Sequence, residues 1–127
     1  MGSADIYQAI ETIPEVEDSL VIGAEQPDGA YWMPLFVVLA DGVRLTDDLA
    51  DRIRAAIREM ASPRHVPDEI IPVPAVPRTR TGKKLEVPIK RLMQGAALAE
   101  VVDPQTVVDA DSFKPYVAIA EARNAPR

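Results

Sequence analysis

Ile6, Ile10 and Ile13 recur with the period of one helix face and predict a short helix near the start of the chain. Ser3 is placed to cap that helix, and Asp5 falls in its first turn, where the helix dipole favours negative charge. Pro14 ends it. From Asp18 to Glu25 the apolar run Ser19-Leu-Val-Ile-Gly23 reads as a strand, and Gln26-Pro-Asp-Gly29 as a turn. Tyr31 to Leu39 is the most hydrophobic run, of strand length and rich in aromatic and β-branched residues. Pro34 belongs near its start, at a bulge or an unpaired edge.

The clearest helix is Asp47 to Met60. Thr46 is its cap, Asp47 and Asp48 fill its first turn, and Leu49, Ile53, Ala56, Ile57 and Met60 form its core stripe. Arg52 and Arg58 project away from that stripe, and Ser62-Pro63 stops the helix. Asp68 to Ala75 reads as a strand with Ile71, Val73 and Ala75 on one side. Pro72 and Pro74 lie two apart, so their missing N–H groups face one way and make this an edge strand or extended segment. Thr79 to Lys84 is a tight turn in which Gly82 supplies the permissive backbone. Leu85, Ile89, Leu92 and Met93 share a face of the next helix, with Pro88 early in it and Gly95 at its end. Ser112 to Glu121 forms a last helix with Phe113, Tyr116, Val117 and Ala120 inward. Helices and strands in this order predict an α+β fold, a small mixed sheet with helices packed on it.

The chain has 127 residues, enough for one domain with its own core. Its net charge of −6 argues against a generally basic nucleic-acid binder. The charge is segregated, however. From Arg78 to Arg91 six basic residues face one acid, a net +5, while the other 113 residues carry eight bases against 19 acids, a net −11. The absence of cysteine excludes disulfides, thiolate metal sites and thiol catalysis. One histidine, His65, cannot make a histidine-based metal site, and no metal site is expected. No run reaches the ~18–20 apolar residues of a membrane span, and no secretory signal is visible. A cytoplasmic protein with no nucleic-acid or membrane partner is the expectation.

The basic turn Arg78-Thr-Arg-Thr-Gly-Lys-Lys84 is the strongest site candidate. A glycine in a turn lets backbone N–H groups approach an anion, and a lysine at the tip is a mobile point charge for phosphate or carboxylate. A solvated basic loop is the plain alternative. The phosphate-binding P-loop is excluded, because its first glycine and its hydroxyl fall on Pro77 and Lys84. Base-stacking aromatics are absent from the window. His65 has no evident partner and reads as structural, and Tyr31 and Trp32 as packing residues.

The run Ser62-Pro-Arg-His-Val-Pro-Asp-Glu-Ile-Ile71 precedes Val76-Pro-Arg-Thr-Arg-Thr-Gly-Lys-Lys-Leu-Glu-Val-Pro-Ile-Lys-Arg-Leu92. Together they closely resemble the C-terminal region of acetoacetyl-CoA synthetases, of the adenylate-forming acyl-CoA synthetase superfamily. The Pro-[Arg/Lys]-Thr-x-[Thr/Ser]-Gly-Lys pattern is the superfamily's. The continuation Lys-Leu-Glu-Val-Pro-Ile-Lys-Arg-Leu resembles the acetoacetyl branch, since acetyl-CoA synthetases typically continue Ile-Met-Arg-Arg. The resemblance covers residues 2–95 and, more loosely, the tail.

The resemblance implies a single C-terminal lid domain over residues 1–127, with a core of about 2–95 and a helical tail of 96–127. The large N-terminal adenylation domain, with its ATP and acyl pockets, is not among these residues. The implied reaction joins acetoacetate to CoA through acetoacetyl-adenylate, using MgATP and releasing pyrophosphate and then AMP. Lys83 falls on the family's adenylation lysine. Thr81, Gly82 and Lys84 complete the anion loop, and Lys83 is also where acetylation would remove a needed charge. Arg58 aligns without gaps on an arginine that contacts a CoA phosphate in related acetyl-CoA synthetases, and Pro63 and Pro67 keep that register; a solvated arginine on the helix face is the plain alternative. ATP, Mg2+ and CoA are expected in the full-length enzyme, with none held by this chain alone, which is therefore expected to be inactive. Two alternatives are the lid of another short-chain acyl-CoA synthetase and a stand-alone anion-binding interaction module.

Overall fold

The computed structural model describes residues 3–25, 29, 31–101 and 110–124. The chain divides into two compact units, Met1–Val21 with Met33–Val73, and Ile22–Trp32 with Pro74–Arg127. The predicted turn at Gln26-Pro-Asp-Gly29 lies, apart from Gly29, outside the described residues.

The first unit holds α1 (Ser3–Glu11), β1 (Val16–Val21), β4 (Pro34–Leu39), α2 (Asp47–Met60) and β5 (Glu69–Pro72). The second holds the short strands β2 (Ala24–Glu25) and β3 (Tyr31–Trp32), with α3 (Glu86–Met93), α4 (Leu98–Val101) and α5 (Lys114–Asn124). The α+β class with a small mixed sheet is as expected: β4 pairs antiparallel with β1 and parallel with β5, in the order β1-β4-β5.

In the first unit α1 and α2 pack their apolar stripes together and onto the sheet. Ile6, Ala9, Ile10 and Ile13 meet Leu49, Ile53 and Ile57 over Val21, Leu35 and Val37, all buried. Leu20 and Phe36, opposite each other in the register, are fully buried on the other face. α1 ends at Glu11, two residues short of the apolar pattern; Pro14 disfavours helical backbone at Ile13, and the Thr12 hydroxyl donates to the Ala9 carbonyl (2.7 Å) in the last turn. Ser3 is the first residue of the helix rather than its cap.

α2 matches its predicted bounds. Thr46 accepts a hydrogen bond from the Leu49 N–H (3.2 Å), a cap worth about 1 kcal/mol. Its stripe is narrower than read: Met60 is 49% exposed and Ala56 half-buried, while Ala50 is buried. β5 is an edge strand, as expected, but of the two prolines it holds only Pro72 and stops there, so Ala75 is exposed rather than continuing the pleat.

Two predicted strands are broken in two. Asp18–Glu25 becomes β1 and β2, and Tyr31–Leu39 becomes β3 and β4, each half joining a different sheet. The first break falls at Ile22-Gly23. A Cβ on Gly23 would stand 1.7 Å from the Tyr31 hydroxyl oxygen, so this residue's smallness gives the tyrosine its place. The second break falls at Met33. There Asp68 binds both backbone groups: its carboxylate accepts from the Met33 N–H (2.8 Å), and its N–H donates to the Met33 carbonyl (2.9 Å). Pro34, with no N–H to offer, then starts β4.

In the second unit α3 packs against α5, α4 and β2, burying Ile89, Leu92, Met93, Phe113, Tyr116 and Ala120. Pro88 sits in the first turn of α3, where a missing N–H breaks no helix bond. α3 ends in a Schellman motif, with Ala96 N–H on the Arg91 carbonyl and Gly95 N–H on the Leu92 carbonyl, both 3.0 Å. The Gln94 side-chain amide donates to the Glu25 carbonyl (3.1 Å). The predicted last helix is a 3-10 turn, Ala110–Phe113, leading into α5, with Phe113, Tyr116 and Ala120 buried and Val117 half-buried. Among the described residues no helix is long and apolar enough to cross a membrane.

Candidate functional site

The basic turn is a closed hairpin in the second unit. Val76 and Pro77 are buried at its base, and the Pro77 carbonyl accepts from the Leu85 N–H (3.1 Å). Arg78 and Lys84 pair antiparallel above them. Thr79 N–H donates to the Lys83 carbonyl (2.8 Å) and Gly82 N–H to the Thr79 carbonyl (2.9 Å). Gly82 has φ +87°. This is the three-residue hairpin loop, a turn followed by a left-handed glycine bulge. The sequence places glycine where the geometry requires it.

The buried base and the exposed tip have different tasks. Arg80, Thr81, Gly82 and Lys83 are exposed. The Arg78 guanidinium reaches back to the Gly82 carbonyl (3.0 Å), stiffening the bulge. The Lys83 N–H donates to the Thr79 hydroxyl oxygen (3.1 Å), which lies 3.0 Å from the Thr81 hydroxyl. Among the described residues the Lys83 ammonium has no hydrogen bond or ion pair, so a mobile cation stands on a fixed backbone. Lys84 differs, being half-buried and engaged in an interaction of its own. The hairpin thus brings Thr81, Gly82, Lys83 and Lys84 together. A shallow groove beside it is lined by Ala75, Pro77, Arg78, Arg80, Gly82 and Ser112.

Arg58 lies in the other unit, exposed on the last turn of α2, also without an ion pair among the described residues. Its neighbour on that helix, Arg52, is spent on a two-pronged pair with Glu15, one contact of which is 3.1 Å. The Arg52 hydrogen bond holds the Glu15 carboxyl below its ordinary pKa.

Sequence reading missed two features. Thr79 makes three of the hydrogen bonds around Lys83; its signal was its place four residues before the lysine, at the hairpin's other arm. His65 has a partner after all. Its Nδ1 lies 2.6 Å from the Ser62 hydroxyl, and its backbone N–H donates to the Ser62 carbonyl (3.1 Å), within a 3-10 turn over Pro63–His65. The Ser-x-x-His spacing carried that signal. The two contacts clasp the turn, and among the described residues no third group orients the ring. Among the same residues no cluster of three or more His, Asp or Glu could hold a metal ion.

The model of the AMP-binding enzyme C-terminal domain matches residues 5–83, ending on the hairpin's exposed lysine. The chain belongs to that family. The acetoacetyl-coenzyme A synthetase of Rhizobium meliloti (strain 1021) is 43% identical over 95 residues, 75% of this chain and 14% of that protein. The acetoacetyl-CoA synthetase of Gallus gallus is 36% identical over 123 residues, 97% of this chain and 18% of that protein. Among solved structures, the acetoacetyl-CoA synthetase from Streptomyces lividans is 53% identical with a TM-score of 0.90, covering 98% of this chain and 18% of that one. This AMP-binding enzyme C-terminal domain thus spans less than a fifth of the length of these relatives.

Proposed function

We propose that this domain is the lid of an acetoacetyl-CoA synthetase and that it supplies Lys83 to adenylation and Arg58 to CoA binding. One observation carries the lid reading: the hairpin presents an exposed ammonium, without a partner among the described residues, on a backbone hydrogen-bonded from both sides, within a family-matched segment. Acetoacetate as the acid is supported by the likeness to acetoacetyl-CoA synthetases along most of the chain.

In the first half-reaction a carboxylate oxygen of acetoacetate attacks the α-phosphorus of ATP, and the bond to pyrophosphate breaks. Both partners are anions, and negative charge builds on the phosphoryl oxygens. A lysine cation held between them is most valuable at that point. Mg2+ enters as part of MgATP. In the second half-reaction the CoA sulfur attacks the acyl carbon, the thiol proton passes to solvent, and AMP leaves. Arg58 offers the planar, permanently charged fork suited to a CoA phosphate. Thr81 and Gly82 shape the turn, and Lys84 adds positive potential beside it. The N-terminal adenylation domain provides the rest of both sites, and the reading includes a cytoplasmic location.

Lys83→Ala in the full-length synthetase tests this. Acetoacetate-dependent exchange of pyrophosphate into ATP should fall to background, while thioester formation from supplied acetoacetyl-adenylate survives. An equal loss in both half-reactions removes Lys83 from the role. The 127-residue chain by itself should release no AMP from acetoacetate, ATP and CoA.

A further inference from the structure

We propose that Thr79 is a positioning residue for Lys83, a role that rests on the adenylation reading of that lysine. Two groups of this one residue hold the lysine backbone on both sides. The Thr79 N–H donates to the Lys83 carbonyl at 2.8 Å, and the Thr79 hydroxyl oxygen accepts from the Lys83 N–H at 3.1 Å. The Thr79 carbonyl also accepts from the Gly82 N–H at 2.9 Å, which closes the bulge just before the lysine.

The hydroxyl contact is the one a side-chain change can remove. After the glycine bulge the Lys83 N–H has no backbone acceptor among the described residues, and the threonine oxygen is its hydrogen-bond partner. The same oxygen lies 3.0 Å from the Thr81 hydroxyl, so the two side chains restrain each other. A lysine side chain is long and freely jointed, and its own packing does nothing here to aim it. The place where its Cα is anchored therefore decides what volume the ammonium samples. Misplacing a reacting or charge-stabilising group by about 1 Å costs on the order of a hundredfold in rate.

Three variants of the full-length synthetase are compared in both half-reactions. Thr79→Val keeps the shape and removes the hydroxyl; Thr79→Ser keeps the hydroxyl and loses a methyl group. Thr79→Val should slow acetoacetate-dependent pyrophosphate exchange about tenfold, the equivalent of one lost hydrogen bond, with thioester formation from supplied adenylate unchanged. Thr79→Ser should restore exchange to within about twofold of wild type, and Thr79→Val should add nothing to Lys83→Ala. Normal exchange in Thr79→Val overturns the proposal. So does an equal slowing of both half-reactions, which marks a fold defect instead. If Lys83→Ala leaves exchange intact, the adenylation reading fails and this proposal with it. If Lys83→Ala abolishes exchange and Thr79→Val does not slow it, this proposal alone fails.

Discussion

The hydroxyl of Tyr116 donates a 2.8 Å hydrogen bond to the carbonyl of Ala75, 41 residues earlier in the chain. Tyr116 is fully buried on α5, beyond the segment matched to the family model, and Ala75 leads into the buried Val76-Pro77 base of the lysine hairpin. The tail is thereby part of what holds the hairpin's approach. Tyr116→Phe, which removes only the hydroxyl, should cost about 1 kcal/mol. Tyr116→Ala also opens a cavity and should cost about 3–5 kcal/mol. Urea unfolding measures both, and a Phe variant with the wild-type midpoint would remove the bond from the account.

Gly82 has φ +87°, and a Cβ added to it would meet nothing within 4 Å. The cost of Gly82→Ala is therefore backbone strain alone, about 1–2 kcal/mol. Gly82→Asn should cost less, because asparagine tolerates the left-handed region better. The order Gly, Asn, Ala in unfolding midpoint is the expected result; Ala equal to Gly would mean that the bulge relaxes freely.

Arg58 is exposed and lies outside the hairpin's unit. If it meets a CoA phosphate, Arg58→Ala in the full-length synthetase should raise KM for CoA about tenfold or more, the loss of one charge-assisted contact. Pyrophosphate exchange should not change, since CoA enters only afterwards. An unaltered KM for CoA would take Arg58 out of the site.

Glu15 is held below its ordinary pKa first by the hydrogen bond from Arg52 and further by that residue's charge. Its folded value is therefore below its unfolded value. The pair's contribution is fully present above the ordinary glutamate range and is lost as the pH falls through the lowered folded value. Both side chains are partly exposed, so the effect is small and weakened by salt. Glu15→Gln should lower stability at neutral pH and converge on wild type in acid, as followed by urea unfolding at several pH values. A constant gap between the two proteins at all pH values would contradict the assignment.

α2 was legible to the residue because all its signals are local: Thr46 at the cap, two aspartates in the first turn, an isoleucine period and a Ser-Pro stop. The hairpin was legible for the same reason, since Gly82 and its neighbours carry their own turn chemistry. The breaks at Ile22-Gly23 and Met33 were not. Each run is uniformly apolar, and what divides it is a change of pairing partner together with Tyr31 over Gly23 and Asp68 on Met33. Thr79 escaped notice because its hydroxyl acquires a target only once the hairpin has closed.

By itself the sequence determined the class of fold, the helix spans that carry their own caps and periods, and the lysine at the tip of a glycine turn. These depend on backbone preferences and spacing within a few residues. Tertiary structure decided which half of each strand joins which sheet and that Tyr116 reaches Ala75. These depend on hydrogen bonds and burial between residues whose meeting no local preference encodes, and such contacts exist only after the core has formed.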